Sequence, residues 1–347
     1  MQREETIKLI KSARHEGKIP DLSQADLRAA DLQHVDLRGA NLRGANLVGA
    51  NLTRANLLRT NLTGANLSQS KLMGARLHGA ILTGANLSGA DLTGDRMETA
   101  NLNQANLGHA CLRQANLRAA QLEEATLTET NLQGSDLSQA NLSQANLRRA
   151  NLRDARLVGT ELAQAQLQEA NLNKADLTKS KLSGANLNAT NLREANLHQA
   201  DLSKNDLSKT FLWAADLNEA ALLEVNLQGV DLHKTNLHGA NLSGANLQKT
   251  QLVGNDLSQT NLSGANLSGA DLSEANLSGA NLSEANLREA TISEAQLNTA
   301  LTLSGATLPD GAKQPVDPPP SERSGGKRKP DVNRLAEAAA RLRKKAK

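Results

Sequence analysis

The chain contains 347 residues, with 39 Lys and Arg against 36 Asp and Glu, which gives a net charge of +3 at neutral pH. Aromatic residues make up 1% of the sequence and Cys111 is the single cysteine, so an aromatic-rich globular core and an internal disulfide are excluded. No apolar stretch approaches the length of a membrane span and no signal-peptide core follows Met1, so we expect a cytoplasmic protein without a membrane span.

Residues 1–20 predict a short amphipathic helix that ends near Gly17. Its apolar residues are Ile7, Leu9 and Ile10, and Lys and Arg residues lie between and beside them. We interpret this segment as a cap over the open end of a repeat array, with a docking helix as the alternative.

Residues 21–308 are dominated by a five-residue repeat. From position 22 to position 297 every fifth residue is Leu, over 56 consecutive repeats, with Met97 and Ile292 as the only exceptions. Ala stands two residues before this central position in 38 repeats, and Asn or Asp directly before it in 40. Two variable, mostly polar residues or Gly follow, as in residues 45–49.

Neither a straight helix nor a straight strand can bury this pattern. Five residues advance about 500° around a helix, and an odd spacing sends successive leucines to opposite faces of a strand. A chain that turns once per repeat buries Ala and Leu together and leaves the Asn or Asp outside. Such coils stack, hydrogen-bond to one another, and leave no room for a ligand cavity.

The motif Ala-(Asn/Asp)-Leu-X-X resembles the signature of the pentapeptide-repeat family, and the resemblance covers residues 20 to about 308. It implies an all-β fold: a right-handed quadrilateral β-helix, or β-solenoid, with four pentapeptides per coil and short terminal helices. The 56 repeats would then form about 14 coils and a rod of roughly 65 Å at ~4.8 Å per coil.

The first strong break in the pattern is at Asp95, which occupies a position that is normally buried and small. A buried carboxylate needs partners, and we expect a local bulge with Asp95 bonded to backbone or to an arginine. With four repeats per coil, Arg76 and Arg96 would stack on one face. The alternative is a binding site made by Asp95, Arg96 and Arg76.

The second break places the only Phe and the only Trp of the chain at outward positions, Phe211 and Trp213. Leu223 repeats the apolar departure, and Arg193 and His233 would flank Trp213 in a four-sided register, with Arg193 placed for cation–π stacking. Exposed Trp is enriched at interaction hot spots, so this group is a candidate interaction patch. The alternative is a packed patch covered by neighbouring side chains.

The repeat ends near Leu308, after a six-residue step from Leu297 to Leu303. Residues 309–330 are rich in Pro, Gly and Ser and predict a flexible linker, and residues 331–347 predict a basic amphipathic helix. Its cationic residues, with those just before it, form a basic tail that offers weak, sequence-independent contacts to nucleic acid or an anionic surface. The residues of this tail are Lys327, Arg328, Lys329, Arg341, Arg343, Lys344, Lys345 and Lys347. A purely solubilising extension is the alternative.

The sequence contains no motif that indicates catalysis, a cofactor or a metal. Phosphate-binding and nucleophile-elbow motifs are absent, and His233 and His238, which lie on successive repeats, are interpreted as solvated surface residues. We therefore expect a non-enzyme without cofactors.

Three functional hypotheses remain. The leading one is a protein-protein interaction scaffold with an unidentified protein partner and an unknown oligomeric state. The alternative is binding of nucleic acid or an anionic surface through the basic tail. The third comes from the resemblance, because some family members bind DNA gyrase by imitating duplex DNA. This chain departs from those acidic proteins, since residues 21–308 carry a net charge of only −5 and no Phe is central.

Overall fold

The computed structural model describes residues 3–316, which divide into two compact units at Ala195 and Asn196. Both units are built from the five-residue repeat, and in each the backbone pairs with itself at a constant offset. Asp21 forms a parallel bridge with Asn41 in the first unit, and Asn241 does so with Asn261 in the second. Each bridge joins equivalent positions four repeats apart, so four repeats complete one coil.

Each repeat contributes an isolated bridge residue rather than a long strand, because the chain turns again in every repeat. The turn is closed by a hydrogen bond such as the one from Ala45 N to Leu42 O, at 3.0 Å. The residue before the inward position has a positive φ, which is 66° at Gly49 and 57° at Thr99. This conformation suits Gly and costs a β-branched residue such as Thr energy.

The central leucines and the Ala residues before them form the core of each unit. Leu47 and Leu267 are fully buried, as are Ala45 and Ala265. Met97 takes the place of a central leucine and is equally buried. The expected sealed Leu and Ala interior is therefore observed in both units.

The side chains of Asn and Asp before the central position form two kinds of hydrogen bond. Their Oδ1 atom accepts a hydrogen bond from the backbone N–H two residues later, as from Thr63 to Asn61 at 3.1 Å. The Nδ2 atom of Asn also reaches the neighbouring coil, and Asn191 donates in this way to Asn171 at 3.1 Å. These side-chain bonds form a ladder between coils, and the local turn bond adds a second reason for Asn and Asp at this position.

Helix α1, Arg3–His15, lies against the first coil. Ile10 is 4% exposed and Thr6 is fully buried. The guanidinium of Arg3 donates to the backbone oxygen of Asp31 at 2.9 Å, and that of Arg14 donates to the Asp36 carboxylate at 2.8 Å.

Helix α2, Glu294–Leu297, interrupts the repeat near its end. The Ser293 hydroxyl accepts from Gln296 N, and the Gln296 side chain accepts from Ser293 N, which makes a capping box. Leu297 therefore belongs to a helix, although the five-residue spacing predicts a coil turn there. Bridging then resumes with one extra residue in the coil, from Asn281 to Thr302.

The array closes on an antiparallel bridge between Thr307 and Lys313. Among residues 3–316, no helix is long and apolar enough to cross a membrane. The segments 317–330 and 331–347, where the sequence predicts most of the linker and the basic helix, lie outside the described residues.

Candidate interaction site

Asp95 lies in the core of the first unit and is fully buried. Its Oδ1 atom accepts a hydrogen bond from Ala75 N at 2.9 Å, and its Oδ2 atom has no partner among the described residues. The carboxyl is bonded to backbone, one of the two arrangements that the sequence predicts. The expected bulge is wrong, because Asp91 and Arg96, on either side of it, keep the regular four-repeat pairing.

Burial raises the pKa of the Asp95 carboxyl well above its usual value of 3.8, and nearby Asp91 raises it further. The backbone hydrogen bond from Ala75 lowers the pKa only in part. The raised pKa favours the protonated, neutral form of this carboxyl. It is a feature of the core and does not present a charge to a partner.

Arg76 and Arg96 occupy a parallel bridge pair, so they are neighbours on consecutive coils, as the sequence predicts. Both are exposed, and neither has an acidic partner within the described part of the chain. Asp95 lies inside the coil while the two arginines lie outside it. Asp95 and the two arginines are therefore neighbours in sequence or on consecutive coils, but the carboxyl is buried and the guanidinium groups are at the surface.

Phe211 and Trp213 lie on one repeat of the second unit and are 45% and 38% exposed, respectively. Phe211 occupies the position that Asn or Asp holds in most repeats, and its ring therefore lies outside the Leu and Ala core. The ammonium nitrogen of Lys234 lies 5.2 Å from the centroid of the Trp213 ring. This geometry is a cation–π contact of about 0.5–1 kcal/mol at an exposed position.

Lys234 was not predicted at this site. Lys234 follows His233, which lies one coil after Trp213. Its proximity to Trp213 on the next coil is the feature of the sequence that could have predicted the contact. His233 itself bonds to Asp231, with Nδ1 and Oδ1 2.9 Å apart. His233 is thus on the same side of the coil as Trp213 and is already paired.

The structure does not bring Leu223 into this group. It lies two repeats after Trp213, which is half a coil, and it is half-buried. Arg193 belongs to the first unit, so its stacking on Trp213 stays a prediction. The candidate site that the second unit presents is therefore Phe211, Trp213 and Lys234.

The remaining candidates add no chemistry. His238 Nδ1 lies 2.8 Å from the Ser258 hydroxyl, and within residues 3–316 no group of His, Cys, Asp and Glu has the arrangement to hold a metal ion. The basic tail from Lys327 to Lys347 lies outside the described residues, so its role stays a prediction.

The family model described as pentapeptide repeats matches successive segments between residues 21 and 301. The chain belongs to the pentapeptide-repeat family. No curated protein sequence matches this pentapeptide-repeat chain.

Several solved structures of pentapeptide-repeat proteins are similar to it. HetL, from the cyanobacterium Nostoc sp. strain PCC 7120 and involved in heterocyst differentiation regulation, is 36% identical, covering 69% of this chain and 91% of HetL at a TM-score of 0.23. QnrB1, a plasmid-mediated fluoroquinolone resistance protein, is 17% identical, covering 55% of this chain and 88% of that one at a TM-score of 0.33. A thylakoid-lumen protein of Arabidopsis thaliana is 30% identical, covering 31% and 71% at a TM-score of 0.21.

Proposed function

We propose that this protein is a non-enzymatic interaction scaffold whose second unit binds a protein partner at Phe211, Trp213 and Lys234. The observation that carries the proposal is the 45% exposure of Phe211 beside the 38% exposure of Trp213. The core of each unit consists of buried Leu and Ala, and recognition is therefore a property of the surface. The right-handed winding, the four-sided cross-section and a cytoplasmic location belong to the same proposal.

The partner that fits is a protein with an apolar side chain that packs on the two rings. Aromatic side chains offer a large contact area at a small cost in conformational entropy, which is why Trp is common at hot spots. Lys234 adds a cation at the rim of the Trp213 ring. A carboxylate on the partner beside the apolar side chain would be attracted to this cation.

The experiment compares the intact chain with two full-length variants. In the first, Phe211→Asn and Trp213→Ser restore residue types that other repeats carry at the same positions. In the second, Leu223→Ser removes an apolar side chain half a coil away, and this variant is the matched control. We expect affinity capture of the partner to fall at least tenfold in the first variant and to be unchanged in the second.

Trp213 also provides a direct readout, because it is the only tryptophan of the chain. Its fluorescence emission should shift to shorter wavelength when the captured partner is added to the wild type, since the contact removes water from the ring. Equal capture by the wild type and the Phe211 and Trp213 variant, together with unchanged emission, would refute the proposal.

A further inference from the structure

The repeats centred on residues 52–117 of the first unit distribute their charges unevenly around the coil. Because four repeats make one coil, two repeats of each coil lie on one side and two on the other. All charged side chains of this stretch belong to the same two adjacent repeats of each coil. The six repeats on the other side, centred on positions 62, 67, 82, 87, 102 and 107, contain no Asp, Glu, Lys or Arg.

Seven exposed cations lie on the charged side, and we call them the basic face. They are Arg54, Arg59, Lys71, Arg76, Arg96, Arg113 and Arg118. The same side holds three acidic residues, of which Asp95 is fully buried. The basic face therefore has a strong local excess of positive charge, although the chain as a whole is nearly neutral.

The cations of the basic face have no acidic partners among residues 3–316. Elsewhere in the same unit ion pairs are common, and Arg149, for example, lies 2.9 Å from the Glu169 carboxylate. Glu98 lies within this surface but is paired with His78 at 3.8 Å and accepts a hydrogen bond from Asn116 at 2.8 Å. The positive charge of the basic face is consequently available to a ligand.

The residue types of the basic face indicate which class of ligand it can bind. Six of its seven cations are arginines, whose planar guanidinium groups bind phosphate in a bidentate manner. Arg76 and Arg96 stand on consecutive coils, about 4.8 Å apart along the stack. These features fit a polymer with closely spaced phosphates.

Other classes of polymer and partner fit less well. A single-stranded nucleic acid calls for aromatic side chains on which bases stack, and the only two in the sequence, Phe211 and Trp213, are in the second unit. The centre of a protein interface is rich in apolar side chains. Met73, at 47% exposure, is the one large exposed apolar side chain on the charged side of this stretch, so a protein partner fits less well. A double-stranded nucleic acid needs only phosphate contacts.

We propose that the basic face binds the phosphate backbone of double-stranded nucleic acid, without reading its sequence. This function is separate from the protein contact at Trp213 and does not depend on it. It also differs from binding through the basic tail, because its residues are in the repeats.

The test uses the full-length protein and a fluorescently labelled DNA duplex of about 20 base pairs, with binding followed by anisotropy at several salt concentrations. The face variant carries Arg59→Gln, Arg76→Asn, Arg96→Asn and Arg118→Gln. Each replacement is a residue that other repeats carry at the same position, so the fold should be kept. An unchanged circular dichroism spectrum and melting temperature confirm this.

Two controls separate the sources of positive charge. The control variant removes four arginines from the other two repeats of each coil: Arg28→Ser, Arg43→Ser, Arg148→Ser and Arg149→Gln. The tail variant replaces Lys and Arg between positions 327 and 347 by Gln in the intact chain.

We expect the face variant to bind the duplex at least about tenfold more weakly at low salt, and to lower the slope of log K against log [salt] by about 3 to 4. The control and tail variants should bind within about threefold of the wild type, since they retain the phosphate contacts of the basic face. This pattern would support the proposal.

Three results would overturn the proposal. They are a wild type that does not bind the duplex at low salt, a face variant that binds as tightly as the wild type, and a loss of binding in the tail variant alone. The assignment to nucleic acid would also fail if phosphatidylserine vesicles bound the basic face more tightly than the duplex does.

Discussion

At the scale of the residue, the Asn or Asp before each central leucine determines how the chain turns. Its Oδ1 atom accepts a backbone N–H two residues later, which holds the turn, as in the 3.0 Å bond from Ser203 N to Asp201. Asn and Asp do this better than other residues because their carbonyl oxygen is close to their own backbone. A position with another residue, such as Phe211, therefore lacks this side-chain hydrogen bond to the turn and presents a different side chain at the surface.

Asp95 is the clearest test of packing at this scale. We expect Asp95→Ala to raise the free energy of unfolding at pH 7 by about 1–3 kcal/mol, because one carboxyl oxygen is buried without a partner and Ala fits the same position in most repeats. Removal of the carboxyl leaves no orphan donor, since Ala75 N also donates to Leu72 O at 2.7 Å. Urea denaturation of both proteins measures the difference.

The pH dependence of this difference has a definite sign. The pKa of Asp95 is raised in the folded state above the value of 3.8, so above about pH 4 the unfolded chain loses a proton that the native state retains. The stability of the wild type therefore decreases relative to the variant as the pH rises from about 4 toward the raised pKa. Asp95→Asn, which has no titratable proton at this position, should differ in stability from the Ala variant by an amount that does not change with pH. A difference that grows as the pH falls would contradict the assignment.

The sequence predicted the inward place of Asp95 and the stacking of Arg76 on Arg96, because both follow from the repeat and from four repeats per coil. It did not predict that the register continues unbroken through Asp95. The carboxyl is accommodated by a hydrogen bond to the coil before it, and a bulge is not needed. That choice depends on the packing of three consecutive coils, which the local sequence does not report.

At the scale of the element, the two helices show what local sequence can and cannot predict. Helix α1 was expected from its apolar spacing, and the structure places it at Arg3–His15. Helix α2 was missed because the five-residue spacing continues through Leu297. The signal for it was present in the capping box of Ser293 and Gln296, which favours a helix over a turn at this point.

Helix α1 gives a prediction about the stability of the first coil. We expect Ile10→Ala to cost about 2–4 kcal/mol of local stability, because Ile10 is 4% exposed and covers the apolar end of the coil. The ion pair of Arg14 and Asp36 is partly exposed and should contribute less than about 1 kcal/mol.

Hydrogen exchange provides the measurement for this prediction. The amide of Leu22, which donates to Asn41 O at 2.7 Å, should exchange faster in the Ile10→Ala variant, whereas amides of the later coils should not change. Lys11→Ala, at an exposed position of the same helix, is the control. Unchanged protection of Leu22 would show that α1 is not a cap.

At the scale of the whole molecule, the coil brings together residues that are about twenty positions apart in the sequence. Surface features made by such residues are not visible as local sequence motifs. The leucine period predicted the family, the buried interior and the coil, and all of these depend on short-range spacing. The four-repeat register that the resemblance implies was applied only to the pattern breaks, so the cations spread over residues 54–118 were not grouped into one face. The same register pointed from Trp213 to His233, and the contact was missed because it is the next residue, Lys234, whose long side chain reaches the ring.

The distribution of charge over the molecule also makes a prediction about DNA gyrase. A protein that imitates duplex DNA needs a continuous acidic surface, which would be complementary to the DNA-binding surface of the enzyme. In this chain residues 21–308 have a net charge of −5, and the charged side of residues 54–118 is positive. We therefore expect no inhibition of gyrase through binding to the enzyme itself.

A supercoiling assay on a plasmid substrate tests this expectation, with the face variant as the second protein. A chain that coats DNA through its basic face would slow supercoiling by shielding the substrate, and this effect should disappear in the variant with Arg59, Arg76, Arg96 and Arg118 replaced. A DNA mimic would act on the enzyme, and the removal of four positive charges should leave its inhibition intact or strengthen it. Inhibition that persists in the face variant would therefore contradict the charge argument.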